Sequence, residues 1–436
     1  MTDCIAIIDI GKTNKKILLF DASYNVIYRK SIRFQELVDD DGFACDDIDA
    51  IEKWIFSEIK SVQEQGIYNI KAINFSTHGA TVVYLDKNGE RVTPVYNYLK
   101  TLEDIDFKSL YDKCGGVDHF SRQTASPAYG MLNSGMQMYW LKHKKPQYWK
   151  KVAHILHYPQ YLSYLFTKKA TADFTSIGAH TALWNFDQMN YHSWINDEGI
   201  TLPVPEDGSK ATVVDVNDQQ IAIGMGLHDS SASIVPLLRK SKEEFVLLST
   251  GTWIICMNPF SKEKLTLEQL QKNCLCFMTP SKQQVKSSMR FLGHAHRLYA
   301  EALSAYFGVD IDTHMTLELD KDLIKKTIDN QSAVLLPEVV DGTFKVDTKT
   351  LVSFASYRDA YCQLMFEISA KVVNGVQLIL DKKSTIKLLY LSGGFNSNSW
   401  FVYFIQQLMP NFTLELSDIK NESALGAAHL MDSYFY

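Results

Sequence analysis

The chain opens on an apolar run, IAIIDI (Ile5–Ile10), breaks at Gly11, and resumes an aliphatic run at Ile17–Phe20 after a lysine-rich turn. Aliphatic and β-branched residues flanking a glycine turn predict a β-hairpin over residues 5–21. The same layout returns at 245–257, FVLLSTGTWIICM, where Gly251 takes the place of Gly11. One device opening each half of the chain predicts two related lobes that face each other.

Between the hairpins the hydrophobic period alternates. Residues 48–65 carry apolar positions at helical spacing, whereas 70–76 (IKAINFS) and 81–86 (TVVYLD) read as strands, the latter closed by the turn Lys87-Asn88-Gly89-Glu90. Residues 131–166 are aromatic-rich at helical spacing and punctuated by Pro146 and Pro159. The pattern loosens over 207–223, which places the division between lobes 1–220 and 221–436. In the second lobe, 355–381 predicts a long helix and 386–392 (IKLLYLS) a buried strand. The expected fold class is α/β in two lobes. A chain of 436 residues agrees, being too long for one ordinary core.

Composition narrows the partners. Hydrophobic residues at 46% and charged residues at 22% describe a soluble globular protein. The net charge is −6 with scattered lysines and arginines, a poor match for nucleic acid. No apolar run approaches the roughly 20 residues that cross a bilayer, and Asp3 and Asp9 bracket the only short apolar stretch at the N-terminus. Seven cysteines without a CxxC pair predict neither a disulfide framework nor a zinc knuckle, and so a reducing cytoplasm.

The first hairpin invites one false reading. AIIDIGKT (6–13) is one residue short of a GxxxxGK[ST] phosphate loop, since Ala6 stands where glycine is required. That loop also needs a following helix, and a strand pattern follows here. A different phosphate chemistry fits DIGKTN. Gly11 would adopt positive φ and bring backbone amides to an anion. Thr13 and Asn14 add side-chain donors, Lys12 and Lys16 add charge, and Asp9 could orient water on magnesium. The plainer alternative is a tight hairpin with an acid at its end.

Five motifs then occur in order: DIGKTNKK, GLHDSSAS (Gly226–Ser233), STGTW (Ser249–Trp253), LSGGFNSNSW (Leu391–Trp400) and ESALGAAHL (Glu422–Leu430). Together with Trp140–Lys169 they resemble the FGGY carbohydrate kinases of the sugar kinase–Hsp70–actin superfamily. The resemblance implies two ribonuclease-H-like lobes around a central cleft, with ATP and Mg²⁺ as cofactors. It assigns ATP phosphates to the turns holding Gly11 and Gly251-Thr252, adenosine to Gly393, Gly394 and Asn398, and a hinge role to the last motif. Asp229 becomes the base that accepts the sugar hydroxyl proton; its bland alternative is a helix N-cap. On the sugar side the resemblance points to His78, Gly79 and Asn133. His294 and His296 lack partner ligands at metal spacing and read as structural.

The sequence departs from the family pattern in two places. Lys12 replaces the usual threonine or small residue, and Leu99-Lys100-Thr101 stands where an arginine usually follows PVYNY. The pairing of HDSSAS with STGTW resembles rhamnulokinases and fuculokinases, which implies a 6-deoxyketohexose substrate; a pentulose is the alternative. A non-catalytic nucleotide-regulated binding protein on the same scaffold is the reading from another class. It would need a peptide-binding extension, polymer contacts or a leading helix-turn-helix, and only eight residues precede Asp9. A small sugar is the expected partner, with no nucleic acid and no membrane, and a homodimer is compatible with it.

Overall fold

A computed structural model describes residues 1–102, 105–330, 334–338, 340 and 344–435. The first hairpin forms as its sequence demands: β1 (Thr2–Ile10) and β2 (Lys15–Phe20) pair antiparallel with Asp9 opposite Lys16, and β3 (Val26–Ile32) extends the meander. Helix α1 (Ile48–Glu64) begins where Asp47 accepts the Ala50 N–H, and buries Ile48, Ile51, Ile55, Ile59 and Val62 along one stripe. It delivers the chain to β4 (Tyr68–Thr77), which runs parallel to β1.

The aromatic-rich segment is not one helix. Helix α2 (Ser134–Lys144) stops before Pro146, which starts a short turn of its own. A strand, His154–His157, then pairs with Val82–Leu85, and α3 (Tyr158–Thr167) carries Pro159 in its first turn. Proline lacks the N–H that a helix interior needs, so each one restarts a helix at its N-terminus.

Strands β5 (Ala211–Val216), β6 (Gln219–Gly224) and β7 (Leu227–His228) complete the first sheet, in the order β5-β6-β4-β1-β2-β3 with β7 also on β4. Residue 220 falls inside β6, so the first sheet continues past it. The following turn enters the short helix α4 (Asp229–Ser233).

The second lobe contributes β8 (Phe245–Thr250), β9 (Ile254–Asn258), β10 (Cys274–Met278) and β11 (Gln284–Arg290), then helices α5 (Leu292–Phe307) and α6 (Tyr357–Ile379). After them come β12 (Leu388–Gly393), α7 (Ser399–Leu408), β13 (Thr413–Leu416) and α8 (Glu422–His429). Its sheet order is β10-β11-β9-β8-β12-β13. Both sheets follow one plan. A lead strand (β1 or β8) has an antiparallel meander on one side (β2-β3 or β9-β11) and two parallel strands on the other (β4-β6 or β12-β13), while β5 in the first sheet and β10 in the second add an antiparallel edge on different sides. The hairpin repeat is therefore part of a shared five-strand plan.

One apolar core runs from Tyr84 and Trp184 in the first lobe to Cys276 and Tyr361 in the second, so the lobes are joined by packed side chains as well as by the chain. Among the described residues no helix is long and apolar enough to cross a membrane.

The last motif packs back onto the first lobe. Ala424, Ala427 and Ala428 are fully buried, and a Cβ built on Gly426 would lie 1.9 Å from the Ala232 carbonyl oxygen in α4. Asn74, also fully buried, donates to Ala427 O at 2.9 Å and accepts the Gly226 N–H at 3.0 Å, tying β4, the turn before β7 and α8 together. Gly426→Ala forces α8 away from α4 and should cost about 1–3 kcal/mol, the usual range for overpacking. Urea unfolding checks this; an unchanged midpoint would show that α8 can shift freely.

Candidate active site

Backbone register builds the first half of the site. In the parallel strands Ile10 is level with Thr77, and Thr77 with His228. The next residues, Gly11, His78 and Asp229, therefore leave the sheet side by side. This is the carboxyl end of parallel strands, where open α/β sheets bind ligands. The second lobe repeats the device. Thr250 is level with Gly393, so Gly251 and Gly394 emerge together.

Asp229 is the first residue of α4, while its N-cap is His228, which makes no side-chain capping bond. The N-cap alternative therefore does not describe it. Its Oδ1 accepts the Ser230 N–H at 2.6 Å and the Ser230 hydroxyl at 3.3 Å. The side chain keeps 35% of its accessible area although protein surrounds it, as befits the floor of a cleft. Burial raises the Asp229 pKa, and His78, the Ser230 N–H and His180 only partly offset that.

Asp9 is also held above its ordinary pKa, chiefly by burial and further by the field of Asp229, against the opposing Lys16 ammonium at 3.1 Å. Two carboxylates with overlapping fields, of which only Asp9 is paired with a lysine, leave unbalanced negative charge. Hard oxygen donors of this kind suit a divalent cation such as magnesium, and Asp9 and Asp229 are the residues that would hold one, directly or through water.

His228 and His180 neighbour Asp229, His157 neighbours His228, and all three are kept neutral. Burial depresses His228 to about 3, aided by His78, and depresses His157 and His180 to about 4, aided in each case by His228. The 3.4 Å approach of His228 Nε2 to Asp229 Oδ1 is thus a neutral ring beside a carboxylate, not an ion pair. Behind it, Asp173 accepts the Thr175 and Ser176 N–H groups, and Thr175 Oγ1 accepts the His228 N–H at 2.9 Å, which fixes the backbone leading into Asp229.

The first turn differs from its sequence expectation. Gly11 is not at positive φ. Its N–H closes the hairpin on Asn14 O at 3.0 Å, and a Cβ would approach that oxygen to 3.2 Å, so the requirement is space. Lys12 lies in an exposed pair with Glu36, Asn14 Oδ1 accepts from Arg33, and Thr13 is exposed. Gly79 leaves room for the His228 ring, which a Cβ would meet at 3.0 Å. Asn133 is 1% exposed, with its amide spent on His180 O and the Tyr129 N–H, so it shapes the pocket from behind rather than facing a ligand. Lys100, at the position of the absent arginine, is consumed by Asp39 and Asp41.

On the second lobe Gly251, Thr252, Gly393 and Gly394 are exposed. Gly393 has φ +85°, and a Cβ there would fall 2.0 Å from Thr250 O. Asn398 caps α7 by accepting the Phe401 N–H and donates to the Tyr361 hydroxyl at 2.8 Å. Beside it lies a cavity of about 480 Å³ lined by Gly394, Phe395, Asn398, Trp400, His296 and His314, of a size to take a nucleoside. The histidine pair divides: His296 bonds the Tyr361 hydroxyl at 3.1 Å, whereas His294 stacks on Phe291.

Sequence reasoning missed four participants: Gly293, His296, Asp46 and Lys15. A Cβ on Gly293 would lie 1.8 Å from Gly251 O, and His294 N–H bonds Thr252 O, so the start of α5 supports the second turn. A glycine in the first turn of a helix was the available signal. Asp46 and Lys15 had none, because each looks like an ordinary surface charge in the sequence.

A profile of the FGGY family of carbohydrate kinases, N-terminal domain, matches residues 4–201, and one of the carbohydrate kinase FGGY C-terminal domain matches 242–435. A curated rhamnulokinase from Enterobacter sp. (strain 638) is 25% identical over 265 residues, 57% of this chain and 52% of its own. The chain thus spans about half the length of that relative. Among solved structures, a carbohydrate kinase from Novosphingobium aromaticivorans has a TM-score of 0.78 at 19% identity, covering 98% of this chain and 93% of its own. A ligand-bound xylulose kinase from Lactobacillus acidophilus has a TM-score of 0.79 at 15% identity, covering 99% and 89%. These two likenesses concern the fold.

The neutral histidines set an acid limit. Their folded values lie below the roughly 6.5 of free imidazole, so below pH 6.5 the unfolded chain binds protons that the native state refuses. The stability they confer is full above pH 6.5 and is lost as pH falls toward 4, at about 1.4 kcal/mol per pH unit for each histidine. Urea titrations at pH 7, 6 and 5 should show the decline, and His157→Gln should make it shallower; identical slopes would contradict the neutral assignment.

Proposed function

The chain belongs to the FGGY family of carbohydrate kinases, and from that membership we propose that it transfers the γ-phosphate of ATP to a hydroxyl of a small sugar. The observation that carries the reading is the common exit of Gly11, His78 and Asp229 from one sheet edge, with a half-buried carboxylate on the cleft floor.

In this reading the nucleoside occupies the cavity beside Gly394, Phe395 and Asn398, and the phosphates run between the Gly251 and Gly11 turns. The sugar lies against His78 and Asp229. Asp229 accepts the proton of the attacking hydroxyl, the oxygen bonds the γ-phosphorus, and the bond from γ-phosphorus to the β-bridging oxygen breaks as ADP leaves. Its raised pKa makes it a stronger base than an exposed carboxylate. A magnesium ion near Asp9 would supply charge neutralisation across the phosphates. Lys16 holds the Asp9 carboxylate in place, and Lys12 can reach phosphate once it leaves Glu36, since an exposed pair of this kind is worth about 1 kcal/mol or less.

For the sugar, the HDSSAS and STGTW motifs and the rhamnulokinase likeness favour a 6-deoxyketohexose of the L-rhamnulose type. An assay of ADP release across ketoses and alditols tests this, with D-xylulose as the pentulose control. Turnover of D-xylulose well above L-rhamnulose would overturn the sugar assignment, and no turnover of any member would overturn the kinase reading.

Asp229→Asn should lower turnover about 10²–10⁴-fold, the usual contribution of a general base. Because burial raises the carboxyl pKa, the ionised form costs the fold stability at neutral pH, so this variant should melt at the same or a higher temperature. Activity within a fewfold of the parent would remove Asp229 from the base role. Lys12→Ala should weaken ATP binding and leave the sugar KM unchanged; the reverse pattern would move the first turn to the sugar side.

A further inference from the structure

His78 sits between two carboxylates, and only Asp229 belongs to the chemistry above. Its Nδ1 lies 3.2 Å from Gly79 O and 3.4 Å from Thr81 Oγ1, so that edge of the ring is engaged by its own turn. Its Nε2 is buried and, among the described residues, within hydrogen-bond reach of no polar atom, with Asp46 Oδ2 at 3.9 Å. The ring is flanked by Tyr98 and Tyr158 at 5.5 and 5.6 Å between centroids, and its field reaches both Asp229 and His228.

Asp46 is unusual for an acid at the start of a helix. Asp47 does the capping of α1, which leaves Asp46 free for another use. Its side chain is 10% exposed, and its Oδ1 meets the buried Lys15 ammonium at 3.3 Å. The same ammonium donates to Lys12 O at 3.0 Å inside the first phosphate turn. Burial works against the Asp46 charge, yet the facing His78 ring, Lys15 and Lys12 outweigh it and hold the carboxyl below its usual range. A structural ion pair would need only Lys15. The second oxygen, turned to His78, has no such explanation.

We propose that Asp46 is a positioning residue for the sugar: anchored by Lys15 to the first phosphate turn, its Oδ2 stands 3.9 Å from His78 Nε2 and its charge favours the ring with the proton on Nε2, so that Nε2 donates to a sugar hydroxyl beside the one Asp229 activates. This rests on the reading of His78 as a sugar contact. It predicts that Asp46 acts through His78 alone, and that its loss is felt by the sugar and not by the nucleotide. The ligand class is a polyhydroxylated ketose whose hydroxyls can span His78 and Asp229.

The test is a double-mutant cycle on the full chain with Asp46→Asn, His78→Gln and both together. KM and kcat are measured separately for L-rhamnulose, D-xylulose and ATP, and folding is followed by thermal melts. Asp46→Asn should raise the sugar KM about 10–100-fold, as loss of an orienting partner commonly does, with the ATP KM within about twofold. In the His78→Gln background the same change should add less than about twofold. Equal factors in both backgrounds would overturn the proposal, because Asp46 would then act independently of the ring. A silent Asp46→Asn beside a damaging His78→Gln would overturn it while leaving His78 as a sugar contact. A silent His78→Gln would overturn both. Where Asp46→Asn fails to fold, Asp46→Glu keeps the charge on Lys15 and displaces the carboxylate by one methylene. It should raise the sugar KM by a smaller factor, again only with His78 present, and an effect undiminished without His78 would count against the proposal.

Discussion

The register of three parallel backbones is the constraint on which the rest of this site depends. Ile10, Thr77 and His228 are held level by main-chain hydrogen bonds, so the residues that follow them emerge at one height without help from their side chains. A slip of one residue in a parallel strand would turn its side chains to the opposite face, exchanging buried Ile and Phe for charge. The apolar packing of α1 and α3 on this sheet therefore guards the spacing of the site. The second lobe uses the same constraint at Thr250 and Gly393, where the demand is for empty space in front of the backbone.

The price of this arrangement is electrostatic. Burial raises the pKa of Asp9 and of Asp229, so the ionised form of either carries a cost, and the histidines around Asp229 remain uncharged for the same reason. Neutral rings next to the Asp229 carboxylate have a chemical consequence. They can accept or donate single hydrogen bonds to hydroxyls, and they do not neutralise the carboxylate as a cation at contact distance would. Sugar hydroxyls suit such a wall, being neutral groups that donate and accept.

The lysines show how the fold distributes positive charge. Lys100 and Lys145 are drawn into the Asp39-Asp40-Asp41 loop and over the rings of Tyr96 and Trp140, which removes them from the cleft. That loop is the only cluster with metal-like geometry among the described residues, and lysines already neutralise it. Lys15 and Lys16, adjacent in β2, point to opposite faces and serve different acids, Asp46 and Asp9. One lysine is thus kept on Asp9 and one on Asp46.

What the sequence determined by itself is what a few neighbouring residues can encode. Apolar runs around Gly11 and Gly251 were enough for the two hairpins, helical spacing for α1 and α6, and small residues in ESALGAAHL for a close-packed helix. The ordered motifs then made the family legible. Tertiary structure decided everything that depends on distant neighbours. Asn133 was drawn behind the pocket by the backbones of Tyr129 and His180, Lys100 was claimed by an acidic loop, and Gly11 proved to need room rather than positive φ. Asp46 gained its place beside His78 only when α1 packed under the sheet. Turn chemistry and periodicity act over one to four bonds of the chain, whereas burial and the fields that shift a pKa come from residues that meet only in the folded molecule.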